Sequence, residues 1–118
     1  MHVADYAILG GFTLVHQFCK IGAHVITAVG SVVFKDVPPY VTAGGHDAAP
    51  HGINTEGLKR RGFSAARIAA IRHAYKTLYR AGLTLEEAKA VLVEQRKDAP
   101  DLGILLDFLA TSTRGIIR

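Results

Sequence analysis

The chain has 118 residues, 49% apolar and 20% charged, which suits one modest core and excludes disorder by composition. A single cysteine, Cys19, excludes an internal disulfide framework and any cysteine-cluster metal site; it fits a reducing compartment, so the cytoplasm is the expected location. Fourteen Lys and Arg against ten Asp and Glu give a net charge of +4, which favours an anionic partner without identifying it.

The opening MHVADYAILGG lacks the basic region of a signal peptide, and the longest apolar stretch, residues 21–34, is too short to cross a bilayer and contains His24. Counting by six through residues 3–33 gives Val3, Leu9, Val15, Ile21, Thr27 and Val33. The position two before each gives Met1, Ala7, Thr13, Cys19, Val25 and Ser31. One aliphatic per hexapeptide, with a mostly small residue two before it, is what a triangular parallel β-solenoid requires: the aliphatic fills the axis and the small residue fits near a corner. Three hexapeptides make a coil, so about two coils are expected. Thr27 interrupts the aliphatic row and Val29 is out of phase; a sandwich of short strands with Gly turns is the competing reading.

After VPPY at 37–40 the composition changes. TAGGHDAAPHG, residues 42–52, reads as an irregular crossing loop, which divides the chain into final coils and loop at 1–45 and a helical domain at 46–118. Thr55 is placed to cap a short turn through Arg61, and Ser64 to cap a helix whose apolar face is Ala66, Ile68, Ile71, Tyr75 and Leu78, with Gly82 ending it. Thr84 and Glu87 form a capping box for a helix that should stop before Pro100, and residues 101–112 make a last helix weakened by Gly103. Asn54 and Glu56 stand just ahead of Lys59, Arg60 and Arg61, a density of cations and polar groups suited to a diphosphate, because a guanidinium grips phosphate oxygens in fork geometry. On the same residues, a solvated helix entrance with Glu56 as an N-terminal carboxylate is the competing reading. Arg67, Arg72, Lys76 and Arg80 extend a basic stripe along the first long helix. The histidines show no zinc spacing and no HExxH, so no metal is expected.

HQFCKIGAHV at 16–25, DVPPYV at 36–41, INTEGLKRRGF at 53–63 and the closing STRGIIR resemble the C-terminal part of the UDP-N-acetylglucosamine acyltransferases that begin lipid A synthesis, in one register over nearly the whole chain. The resemblance implies a left-handed parallel β-helix followed by an α-helical C-terminal domain, assembled as a homotrimer with active sites between subunits. It also implies transfer of a 3-hydroxyacyl chain from acyl carrier protein to the 3-hydroxyl of UDP-N-acetylglucosamine, with no cofactor. Arg60 is the main phosphate candidate; His16, Gln17, Asn54, Glu56 and Arg61 match the family's other nucleotide-sugar positions. Val29 matches a position where longer-chain members have a glycine that makes room for the acyl tail. The basic stripe is then a docking surface for acidic carrier protein.

The family's general base is a histidine on an earlier coil that has no counterpart here. No catalytic residue is therefore assigned in this chain, His16 included, and the chain by itself is expected to be inactive. A non-catalytic trimerising or binding module is the alternative. Nucleic-acid binding is a third reading that lacks a recognised motif or an aromatic stacking platform.

Overall fold

The computed structural model describes residues 1–113 and 115–118. Six two-residue strands follow one another every six residues: β1 (His2–Val3), β2 (Ile8–Leu9), β3 (Leu14–Val15), β4 (Lys20–Ile21), β5 (Ile26–Thr27) and β6 (Val32–Val33). Each pairs in parallel with the strand three hexapeptides away, so Val3 faces Ile21, Leu9 faces Thr27 and Val15 faces Val33. Three such ladders are the three faces of a solenoid, which removes the sandwich reading. The inward row is buried in the second coil, with Ile21, Thr27 and Val33 all nearly inaccessible, as are Cys19, Val25 and Ser31 two positions before them. Val3 and Leu9, their counterparts in the first coil, are exposed.

Thr27 is tolerated in the aliphatic row because its hydroxyl is satisfied: Oγ1 accepts from the Gly10 amide at 3.0 Å and lies 3.0 Å from Thr13 Oγ1. Val29 does not enter the core; it sits 76% exposed at a corner, just before Gly30 in the left-handed region. A further period of six marks the other corners. Tyr6, Phe12, Phe18 and His24 all have φ between 58° and 69°, where a non-glycine residue costs about 1–2 kcal/mol. Bulky rings at these corners persist because the ladders on both sides fix the backbone.

A third, partial coil closes the solenoid. Val37 bridges Ile21, and β7 (Val41–Gly44) pairs in parallel with β5. The expected irregular loop is instead a hairpin, because β8 (Ala49–Ile53) returns antiparallel to β7 with a register shift between Val41 and Ala43. Gly44 serves packing here: a Cβ on it would press on the Ala28 side chain at 3.1 Å. Asp36 fastens the chain end to this coil. Its buried carboxylate accepts from the Lys20 amide and the Ser112 hydroxyl, while its backbone bonds Gly115 and Ile117.

The helices are α1 (Thr55–Arg60), α2 (Ala65–Tyr79), α3 (Leu85–Arg96) and α4 (Leu102–Thr111). Asn54, rather than Thr55, caps α1, since its Oδ1 accepts from the Gly57 amide. Ser64 caps α2 and the Thr84–Glu87 box is present in full. On α2 the buried apolar row is Ile68, Ile71, Ala74, Tyr75 and Leu78, whereas Ala66, in the first turn, is exposed; Ala74, one turn from Ile71, belongs to the row as well. Gly103 sits in the first turn of α4, where a Cβ would lie 3.3 Å from the Arg96 guanidinium. Tyr40, Leu58, Ile68, Ile71, Leu78, Leu92, Leu102 and Leu109 share one core, and each such side chain removed from water contributes about 1.5–3 kcal/mol. Among the described residues no helix is long and apolar enough to cross a membrane.

Candidate functional site

Where the β1–β2 corner meets α1, a cavity of about 320 Å³ is lined by Tyr6, Ala7, Ile8, His24, Asn54, Gly57, Arg60 and Arg61. Three of the six residues assigned to a nucleotide sugar, Asn54, Arg60 and Arg61, therefore converge on one space. The local fold dictates this. Asn54 ends the chain's exit from β8, with its amide N–H donating to Tyr40 O at 2.8 Å and its Nδ2 donating to the His24 carbonyl at 3.0 Å. Its Oδ1 caps α1 through Gly57 at 3.1 Å. A single side chain thus fixes α1 against the solenoid corner, and the last turn of α1 delivers Arg60 and Arg61 to the cavity. Cations at this end also face the negative end of the helix dipole. Asn54 retains one lone pair and one amide hydrogen beyond these bonds.

An aromatic stack forms the cavity's inner wall. Tyr6 stacks on His24 at 5.0 Å and His24 on Tyr40 at 5.7 Å, while Phe63 meets His24 edge-on at 5.1 Å. The Arg61 guanidinium lies 4.0 Å over the Tyr6 ring. Behind the stack, Arg67 covers Phe63 at 3.9 Å and grips Asp101 with two hydrogen bonds of 2.9 and 2.8 Å. The Tyr40 hydroxyl donates to the Asp101 carbonyl at 2.7 Å, and burial holds that hydroxyl well above its ordinary pKa, so it stays protonated. His24 is buried, and burial, with Arg61 beside it, pushes the imidazole below its usual value against the opposing pull of Asp101 and Asp5. The ring is accordingly neutral at neutral pH. Neither Tyr6 nor His24 is assigned to the site by sequence, although both fall in the period-six corner row.

The other assigned residues lie elsewhere in the chain. Glu56 is exposed on the first turn of α1 and does not line the cavity. His16 and Gln17 are exposed at the β3–β4 corner, a different edge of the triangle, where His16 Nδ1 lies 3.0 Å from Gln17 O. Val29 occupies the β5–β6 corner. The basic stripe divides. Arg67 is engaged with Asp101 and Phe63, whereas Arg72, Lys76 and Arg80 line a groove of about 450 Å³ with Gly52, Ile53 and Tyr75. Among the described residues no three His, Cys, Asp or Glu side chains cluster as a metal site.

Known proteins match this chain along its length. It is 62% identical over 116 residues to an acyl-[acyl-carrier-protein]–UDP-N-acetylglucosamine O-acyltransferase of Thiobacillus denitrificans, covering 98% of the chain and 45% of that protein. The namesake from Janthinobacterium is 55% identical, covering all of the chain and 47% of the relative. Thus the chain spans about half the length of the curated relatives it matches. The crystal structure of the Francisella novicida UDP-N-acetylglucosamine acyltransferase superposes with a TM-score of 0.96 at 45% identity, covering 99% of this chain and 43% of that one. The Arabidopsis UDP-N-acetylglucosamine acyltransferase gives 0.88 at 33% identity, over 98% and 44%. The model of the second domain of UDP-N-acetylglucosamine O-acyltransferases matches residues 36–117, and the chain belongs to that family.

Proposed function

We propose that this chain is the part of a UDP-N-acetylglucosamine acyltransferase that holds the nucleotide sugar and receives the carrier protein. The reaction is transfer of a 3-hydroxyacyl group from acyl carrier protein to the sugar 3-hydroxyl, at the start of lipid A synthesis. The observation that carries this reading is the convergence of Arg60, Arg61 and Asn54 on one cavity beside an aromatic wall. Two guanidinium groups at one mouth suit a diphosphate, and the half-polar, half-aromatic lining suits a sugar or a base.

His16 and Gln17 lie at a different corner from this cavity, so they complete the site only if a neighbouring copy supplies them. On this reading the β-helix is left-handed and assembles as a homotrimer with a site at each subunit boundary, to which Glu56 also contributes from its exposed position. The groove of Arg72, Lys76 and Arg80 is the landing surface for acidic carrier protein. Val29, projecting at its corner, closes the far end of an acyl groove between copies. No residue here is proposed as the general base.

The test is a full-length chimera in which this chain follows the upstream part of the Thiobacillus denitrificans relative. By calorimetry, Arg60→Ala should weaken UDP-N-acetylglucosamine binding by about 1.5–3 kcal/mol through loss of charge-assisted hydrogen bonds. Unchanged affinity would remove Arg60 from the site and return the Lys59–Arg61 run to a solvated helix end.

A further inference from the structure

The nucleotide-sugar reading leaves the aromatic wall unexplained. A wall of that kind is costly to build at this corner, because Tyr6 and His24 both hold φ near +60°, where glycine or asparagine would be unstrained. Tyr6 is also half exposed, so its ring is not there to fill a core. What the ring touches is Arg61 and His24.

We propose that Tyr6 is a positioning residue for Arg61, backed by His24: the stacked pair holds the guanidinium at the cavity mouth before the anionic ligand arrives. The proposal rests on the reading of the cavity as the nucleotide-sugar pocket. An arginine has a long side chain whose rotamer freedom must be given up when it grips a phosphate, and a guanidinium already laid on a ring has surrendered most of that freedom. A guanidinium held over a ring by its charge keeps its N–H donors for a phosphate, because the ring is not a conventional hydrogen-bond acceptor. His24 supports Tyr6 from within the fold, being itself sandwiched toward Tyr40 and held edge-on by Phe63. Arg67 and Asp101 fix that second layer, so the chain of contacts runs from the α2–α4 contact to the cavity mouth. Neutral His24 suits the role, since a second cation next to Arg61 would push it away.

The experiment is a double-mutant cycle in the chimera, read by calorimetry with UDP-N-acetylglucosamine. Tyr6→Leu keeps the backbone requirement of a non-glycine residue but removes the ring, and should raise Kd about three- to tenfold. Tyr6→Phe restores the ring and should recover most of the lost affinity. In an Arg61→Ala background, Tyr6→Leu should add less than twofold, because the residue it acts through is gone. In steady state the loss should appear in KM for the nucleotide sugar and not in KM for the acyl donor. An undiminished effect of Tyr6→Leu in the Arg61→Ala background, or no effect of Tyr6→Leu while Arg61→Ala weakens binding, would overturn the proposal. If Arg60→Ala and Arg61→Ala both bind like the parent, the cavity reading itself fails and the proposal falls with it.

Discussion

Replacing Asn54 with alanine tests whether α1 is placed by one side chain. The residue is 6% exposed and makes two side-chain bonds, Nδ2–H to His24 O at 3.0 Å and Oδ1 from Gly57 N at 3.1 Å. Loss of an N-cap oxygen costs about 1 kcal/mol. Loss of the donor leaves the His24 carbonyl, in a buried residue, without that partner, which costs about another 1–2 kcal/mol. The sum, about 2–3 kcal/mol, corresponds to a fall of roughly 1.3–2 M in the urea midpoint for a slope of about 1.5 kcal/mol per molar. The assay is urea unfolding of the chain followed by far-ultraviolet circular dichroism. Asn54→Ser separates the two contributions: serine can cap the helix but is too short to reach His24 O, so it should recover only the first kilocalorie. A midpoint within about 0.3 M of the parent for Asn54→Ala would refute the reasoning and show α1 to be held by its apolar contacts, chiefly Leu58, alone.

Gly22→Ala should destabilise by about 2–3 kcal/mol in the same assay, because the added Cβ would overlap the Pro39 backbone nitrogen and lie 2.6 Å from its Cδ, atoms a coil corner cannot move. His24 is held neutral, with a folded pKa below the unfolded value of 6.5, so its contribution is complete above that value and is lost as pH falls below it toward the folded value. Thermal melts at pH 7.5 and 5.5 should therefore differ more for the parent than for His24→Phe, an aromatic already accommodated at φ near +60° in Phe12 and Phe18. In the chimera, Lys76→Glu with Arg80→Glu should raise KM for acyl carrier protein about tenfold at low salt and much less at high salt, with KM for the nucleotide sugar unaltered. Val29→Gly should shift donor preference toward 14-carbon chains from shorter ones, each methylene contact being worth about 0.8 kcal/mol; a parent that already uses 14-carbon donors best would contradict the role given to Val29.

The solenoid was legible because its rule is local and periodic: one inward aliphatic every six residues, visible even through Thr27. Capping was legible for the same reason, since Ser64 and the Thr84–Glu87 pair act within one turn. The hairpin of β7 and β8 was not, because Gly44 answers a packing demand set by Ala28, distant in sequence, and the pairing of β7 with β5 and β8 is not local. Arg67 illustrates the same limit at the site. Sequence spacing puts it in one basic stripe with Arg72, Lys76 and Arg80, but Asp101, more than thirty residues away, withdraws it from that surface. Tyr6 and His24 were hidden for another reason. The corner row is as periodic as the inward one, yet rings in the left-handed region run against backbone preference, so propensity alone discounts the positions that line the cavity.

That conflict joins fold to function. The same corner carries backbone strain, the His24 carbonyl that anchors Asn54, and the ring on which Arg61 rests. If α1 moves, Arg60 and Arg61 move with it; if the aromatic stack loosens, Arg61 loses its seat while the cap remains. These are separable failures with different signatures. Asn54→Ala in the chimera should weaken nucleotide-sugar binding together with stability, because it releases the helix that carries both cations. Tyr6→Leu should weaken binding with the urea midpoint nearly unaltered, because a half-exposed ring contributes little to the core. A loss of stability for Tyr6→Leu as large as that for Asn54→Ala would mean that the stack holds the solenoid to the helices, and that its contact with Arg61 is incidental.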